Sequence, residues 1–220
     1  MNVTEAVAAR RSTRRFLGKG VDEAVLRRVL EKAQMAPSSM NFQPWFGVVL
    51  TGEPLAALSR EMMASDPQSP AEYPLILPET PQKFIDRREA IMAPRMESLG
   101  IERTDMAARN AYQRKNFEFF GAPVCLFSFV PRNLAPNNWA SVGLWYQTVM
   151  LLLVEEGLAS CPQEFLSLYA PQVKTACGVD DADYFLWCGL SIGWPDKDAP
   201  VNNYHRPRVP LDESVRFQGF

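Results

Sequence analysis

The sequence is poor in the residues that much enzyme chemistry relies on. Only one histidine, His205, stands among its 220 residues. One histidine cannot build a His-rich metal site, and it leaves no Ser-His-Asp triad away from the tail. Cysteine is sparse, and Cys125, Cys161, Cys177 and Cys188 form no C-x-x-C pair. Zinc-ribbon and thioredoxin-like readings therefore fail, and the pattern fits a cytoplasmic protein. Neither G-x-G-x-x-G nor G-x-x-x-x-G-K-[ST] occurs, which excludes a dedicated Rossmann or P-loop nucleotide site. Charge of one sign is not in excess: 23 Lys and Arg against 25 Asp and Glu give a formal net charge of −2. A chain so balanced is not a generic nucleic-acid binder, and any anion must be held by a few placed cations. Long apolar runs are missing too. The uncharged stretch Asn133–Val154 is interrupted by Pro136, Asn137, Asn138, Ser141 and Gln147. A membrane span needs about 20 predominantly apolar residues, so this is expected to be a buried helix. The residues before Arg10 are not a signal peptide in composition.

What is present is ordinary core material, 47% hydrophobic and 22% charged residues. It is enough for one domain spanning 1–220. Thr4 is expected to cap a short helix running through Arg10. Asp22 is expected to cap a second, with Val25, Leu26, Val29, Leu30 and Ala33 at helical spacing and Pro37 as the stop. Strands are expected over 46–50, 122–130 and 184–192, from their short apolar runs. A weaker helix is expected over 55–63, and amphipathic helical segments over 82–119, with a break near Gly100. Asn138 is expected to cap a long helix over 139–156, with Gly157 just beyond its end. Short helices are expected over 165–169 and after Pro171. Residues 67–81 carry Pro67, Pro70, Pro74, Pro78 and Pro81, and so read as a long irregular excursion of the kind that forms lids. After Pro195 the tail reads as extended, with little packing of its own. Long helical stretches between few strands give an α+β or α/β chain with one core sheet.

Four clusters carry possible chemistry. The first is Arg10-Arg11-Ser12-Thr13-Arg14-Arg15: guanidinium groups grip phosphate bidentately, and a hydroxyl adds a donor. The second, Ala36-Pro37-Ser38-Ser39-Met40-Asn41-Phe42-Gln43-Pro44-Trp45, offers hydroxyls and amides to a polar heteroaromatic. The third is Ser160-Cys161-Pro162-Gln163-Glu164. The fourth is Arg206-Pro207-Arg208, where two arginines two apart in extended chain point the same way. Each alone also reads as a plain surface feature: a solvated basic face, a turn, a helix N-cap region and a solvated tail.

In this order the four clusters resemble the nitroreductase family of flavin-dependent oxidoreductases. The match runs from Arg10-Arg11-Ser12-Thr13-Arg14-Arg15-Phe16, through Ala36 to Trp45 and Pro162-Gln163-Glu164, to the closing Arg206-Pro207-Arg208-Val209-Pro210-Leu211-Asp212-Glu213. It covers the chain apart from the variable segment 53–120. The resemblance implies an α/β sandwich: a central mixed, mostly antiparallel sheet among helices, completed by a C-terminal strand exchanged within a homodimer. It also implies bound FMN at the interface, and NADH or NADPH as a transient hydride donor. Arg10, Arg11, Ser12 and Arg14 would hold the phosphate, ribityl chain and pyrimidine edge. Pro37, Ser38, Ser39 and Asn41 would reach FMN from the other subunit. Pro162, Gln163 and Glu164 would lie against the isoalloxazine, and Arg206 and Arg208 would return to the phosphate. Many relatives carry Gly after the Glu, where this chain has Phe165.

The implied activity is ping-pong reduction of nitroaromatics, quinones or similar flat acceptors through flavin N5. No metal and no side-chain acid or nucleophile is required, because the cofactor carries the hydride chemistry. Tyr112, Phe117, Phe119 and Phe120 are candidates to shape the acceptor pocket, against plain core packing. Dehalogenation, flavin destruction and non-catalytic flavin binding remain as alternatives.

Overall fold

The computed structural model describes residues 1–220. Helix α1 covers Val3–Ala9. Its cap is Asn2, not Thr4, because a capping box forms: Asn2 Oδ1 accepts from Glu5 N and Glu5 Oε2 accepts from Asn2 N, both at 2.9 Å. Helix α2, Glu23–Ala33, starts as its pattern requires, with Asp22 Oδ1 accepting from Ala24 N at 2.9 Å. Leu26, Val29 and Ala33 form its buried stripe.

Strand β1 is Phe46–Thr51. Gly52, at φ +58°, turns the chain straight into helix α3, Gly52–Ala64, so that helix begins earlier than the apolar spacing indicates. The proline-rich excursion follows. It leads to α4, Gln82–Ser98, and α5, Met106–Arg114, on either side of Gly100. Strand β2 is Val124–Pro131 and helix α6 is Asn137–Glu155. The cap of α6 falls at Pro136 rather than Asn138. Asn138 is buried in the first turn, where its amide donates to Ala135 O at 3.0 Å.

Strand β3, Ala159–Gln163, lies where the sequence pointed to a helix N-cap. It is short, polar and at a sheet edge, where Pro162 costs little because no ladder donor is needed there. A 3-10 turn, Glu164–Tyr169, leads into α7, Ala170–Cys177, and then β4, Tyr184–Gly193. The tail is not wholly extended: α8, Pro200–Asn203, buries Val201 and Asn202, and the chain lies open only from Arg208 onward.

The sheet runs β1-β2-β4-β3, antiparallel at every ladder. The expected parallel component is a single bridge, Ser12 to Ser160. Alternation along β2 and β4 feeds two cores. Cys125, Phe127, Phe129 and Leu186 meet α3, α7 and the segment around Phe117 on one face. Leu126, Val130, Leu190 and Ile192 meet α2 and α6 on the other. Phe127 and Phe129 are fully buried, and truncating either to Ala costs about 3–5 kcal/mol. No helix is long and apolar enough to cross a membrane.

Two contacts of the arginine-rich segment locate the candidate site. Phe16 is buried over Gly193, where a Cβ would lie 3.1 Å from its ring and 2.7 Å from Pro123 Cδ. Backbone bonds from Thr13 N to Ser160 O and Leu17 N to Trp194 O, both 2.9 Å, then lay residues 10–17 along β3 and the end of β4. Phe16 thus acts as the plug that seats the arginines.

Candidate anion and cofactor site

Six guanidinium groups converge on one small cavity of about 100 Å³: those of Arg10, Arg11, Arg14, Arg95, Arg206 and Arg208. Arg10, Arg11 and Arg14 come from the segment seated by Phe16. Arg206 and Arg208 come from the tail, and Arg95 from α4. Buried Asn202 joins the first two sources: its Oδ1 accepts from Arg14 N at 2.8 Å, and its backbone oxygen accepts from Arg206 Nη2 at 3.0 Å and Arg11 Nη1 at 3.3 Å. Tyr204 joins the third. Its hydroxyl accepts from Arg14 Nη1 at 3.3 Å and Arg95 Nε at 3.0 Å, and its ring lies 4.3 Å beneath Arg206.

None of these six arginines forms an ion pair with a carboxylate. Burial, then the neighbouring Arg208, push the pKa of Arg10 below its ordinary value. Burial does the same to Arg206, helped by Arg11 and Arg14 and opposed by Tyr204. Like charges gathered in a partly buried cleft repel, and a bound anion reverses the sign of that energy. Two donors in this region are buried without any partner, Arg206 Nε and the Tyr112 hydroxyl. A donor-rich cleft with no internal counter-charge fits a phosphate-bearing ligand with polar edges. FMN has both features, and the residues present fit it.

The segment holding Pro37, Ser38, Ser39 and Asn41 lies elsewhere. Ser39 N donates to Ser141 Oγ at 3.1 Å, Asn137 Nδ2 donates to Ser39 Oγ at 2.9 Å, and Gln43 N donates to Ser38 Oγ at 3.0 Å. Trp45 stacks on Trp145, 5.9 Å away and nearly parallel. The segment therefore rests on α6 beside the start of β1, while the arginines sit at β3. Those strands are the two edges of the sheet, roughly 14 Å apart at the usual strand spacing. One chain does not bring its two predicted half-sites together. Met40, Asn41 and Gln43 all hold φ near +50° to +60°, a conformation that costs about 1–3 kcal/mol per non-glycine residue.

Pro162, Gln163 and Glu164 stand at the end of β3, next to the arginine cleft. The Gln163 side chain is buried and committed: it accepts from Ser191 Oγ, and its amide donates to Asn116 O at 2.9 Å and Oδ1 at 3.2 Å. This leaves the backbone of the segment, and exposed Glu164, to face a ligand. Phe165, in place of glycine, is absorbed by packing, with its ring 5.8 Å from Phe117. Of the four candidate aromatics, Phe117, Phe119 and Phe120 are core residues, and Tyr112 packs against them. Phe120 stands 6.0 Å from the Arg14 guanidinium, and Tyr112 stands 6.3 Å from Phe120. Arg95, Tyr204 and Asn202 escaped the sequence reading. Only Asn202, in a Pro-Val-Asn-Asn turn before the tail arginines, left a local signal.

The sequence model of the nitroreductase family matches residues 7–194. The chain belongs to the nitroreductase family. Among similar proteins, 4-nitrobenzoate reductase of Pseudomonas putida is 35% identical over 97% of this chain and 94% of its own length. Nitroreductase NfnB of Mycolicibacterium smegmatis is 32% identical over 96% and 90%. Among solved structures, the FMN- and NADPH-dependent nitroreductase NfnB from sphigopyxis sp. strain HMH superposes with a TM-score of 0.94 at 43% identity, covering all of both chains. The FMN-dependent NfnB from Mycobacterium smegmatis, in complex with NADPH, gives 0.91 at 30%, covering 99% of this chain and 100% of its own. The fold of the family accounts for the α+β sandwich, and its match spans the arginine segment, the 36–45 segment and the end of β3.

Proposed function

We propose that this protein is an FMN-dependent NAD(P)H oxidoreductase that reduces nitroaromatics, quinones or similar flat acceptors. The observation that carries this is the cleft of six arginines without a carboxylate, built in a chain that has nitroreductases among its relatives at 30–43% identity. FMN, when bound, supplies the redox chemistry, accepting hydride from NADH or NADPH and passing it to the acceptor. Arg10, Arg11, Ser12, Arg206 and Arg208 hold the phosphate by charge-assisted bonds. Arg14 faces the pyrimidine edge, where a fixed cation favours the negative charge that reduction brings. Pro162, Gln163 and Glu164 present backbone to the ring system, and Gln163 keeps that backbone in place.

Residues Pro37, Ser38, Ser39 and Asn41 complete the site from a second copy of the chain. Their distance from the arginines within one chain supports a homodimer. So does exposed apolar surface: Met40 and Phe42 stand out from the 36–45 segment, and Leu211, Phe217 and Phe220 stand out from the tail. Strand β1 has one open edge, which suits it to receive a strand from the partner's tail. The reading treats 1–220 as one domain, with 53–120 as the variable excursion. It also places the protein in the cytoplasm, in keeping with its four free thiols.

The test is direct. The purified protein is expected to be yellow, to run as a dimer by light scattering, and to oxidise NADPH or NADH when 4-nitrobenzoate is added. A colourless protein that FMN cannot reconstitute overturns the reading. A yellow protein that oxidises neither nucleotide is a flavin-binding protein instead. Removal of residues 211–220 is expected to shift the dimer towards monomer and release FMN.

A further inference from the structure

Tyr112 lies on α5, within the segment that the family resemblance leaves variable. Its ring packs 6.3 Å from that of Phe120, and Phe120 stands 6.0 Å from the Arg14 guanidinium. Phe119, Phe120 and Gly121 all hold left-handed backbone, at φ 52°, 55° and 79°. For two bulky aromatics this is strained, and the buried surroundings sustain it. The strained turn brings Phe120 against Arg14, and Phe120 supports Tyr112.

The phenol oxygen of Tyr112 is buried and has no hydrogen-bond partner. Burying such a hydroxyl unpaired costs free energy, so its retention calls for a partner that arrives with a ligand. Its charged neighbours are Arg14 and Arg95, with Tyr204 and the Cys161 thiol beside them. The guanidiniums offer only donors, and the hydroxyl of Tyr204 is already taken as an acceptor by both. Burial pushes the Tyr112 phenol up to about 12, against the opposing pull of Arg14 and Arg95, so it stays protonated and remains a donor.

The geometry points to Tyr112 as a further cofactor-binding residue, whose hydroxyl donates a hydrogen bond to the same polar edge of bound FMN that Arg14 faces. This rests on the FMN reading above. A donor at an edge that gains negative charge on reduction binds the reduced form more tightly, so Tyr112 raises the reduction potential.

Tyr112→Phe removes the hydroxyl and nothing else. In FMN-free protein no internal bond is lost, so Tm is expected to stay level or rise. In the holoprotein the oxidised-to-reduced equilibrium, read by dye-linked spectroscopic titration, is expected to shift about tenfold towards oxidised FMN. For a two-electron couple that is roughly 30 mV lower. An unchanged or higher potential overturns the inference, as does a lower Tm of the FMN-free variant, which would reveal a structural partner for the hydroxyl. Wild-type protein that fails to retain FMN overturns the FMN reading itself, and this inference with it.

Discussion

Glu72 and Lys174 form an ion pair in which both side chains are almost fully buried, at 4% and 3% exposure. Glu72 belongs to the proline-rich excursion and Lys174 to α7. The carboxylate also accepts from Arg132 Nη2 at 2.5 Å and Leu186 N at 3.1 Å. Lys174 reaches Asp181 Oδ1 at 2.6 Å. Next to Glu72, the Tyr73 hydroxyl donates to Trp187 O, and Gln68 N donates to Leu168 O at 2.8 Å. Residues 68–73 are therefore strapped to the body, and the excursion begins its path to α4 from a fixed point.

Removing Glu72 leaves the buried Lys174 ammonium with only the exposed Asp181 carboxylate as its partner. Glu72→Ala is expected to destabilise the protein by about 3–5 kcal/mol, and the double variant Glu72→Met, Lys174→Met by much less. Urea unfolding followed by circular dichroism measures both. Equal losses would mean that packing, not charge, sets the effect.

Arg95 reaches the anion cleft from outside every motif in the sequence. Arg95→Ala is expected to weaken FMN retention about ten- to a hundredfold, comparable to Arg14→Ala and Arg206→Ala, since a hydrogen bond to a charged group is worth about 1.5–3 kcal/mol. Fluorescence titration with FMN reads the constant. If Arg95→Ala binds FMN like wild type, its guanidinium serves Tyr204 alone.

Gln163 is expected to behave as a structural strut. Gln163→Ala leaves the Ser191 hydroxyl and the Asn116 carbonyl without their partner, a loss of about 1–3 kcal/mol for each buried group. Ser191→Ala should cost less, because Gln163 keeps its two bonds to Asn116. Thermal unfolding of the FMN-free forms tests this ranking, and the reverse order would refute it.

The thiols give a pH dependence of known sign. Burial raises Cys177 to about 12 and raises Cys125, Cys161 and Cys188 as well. An unfolded thiol ionises near 8.5. The native state thus favours the protonated form. That contribution is complete below about pH 8.5 and is lost as pH climbs towards the folded values. Stability is expected to fall between about pH 9 and 11. Iodoacetamide at pH 8 is expected to spare all four thiols until denaturant is added, as mass spectrometry would show.

The helices and the three apolar strands were legible because their burial is periodic. Val25 to Ala33 and 184–192 repeat at the spacing their structure requires. Strand β3 was hidden by its length, its polarity and Pro162. The cap of α1 went to Asn2, since a reciprocal bond with Glu5 outweighs what Thr4 offers. In the site, the arginines of 10–15 and 206–208 announced themselves as clusters. Arg95 did not, because it sits singly in a helix of mixed polarity, and only its tertiary contact with Tyr204 shows that it belongs to the cleft. Tyr204 was equally silent, while Tyr112 stood out only as one of four aromatics of the variable segment that could shape an acceptor pocket. The 36–45 segment stands out in the sequence as one polar, proline-bounded stretch, but its separation from the arginines belongs to the topology of the sheet.

The unpaired guanidiniums also shape the life of the chain before it works. A newly folded copy carries its own repulsion until an anion arrives. Ligand at a hundred times its dissociation constant adds about 2.7 kcal/mol to stability by mass action. Copies made when FMN is scarce lack that increment and unfold more often, which exposes them to proteases. With FMN as that anion, the fraction of the protein that survives is expected to follow flavin supply through folding stability.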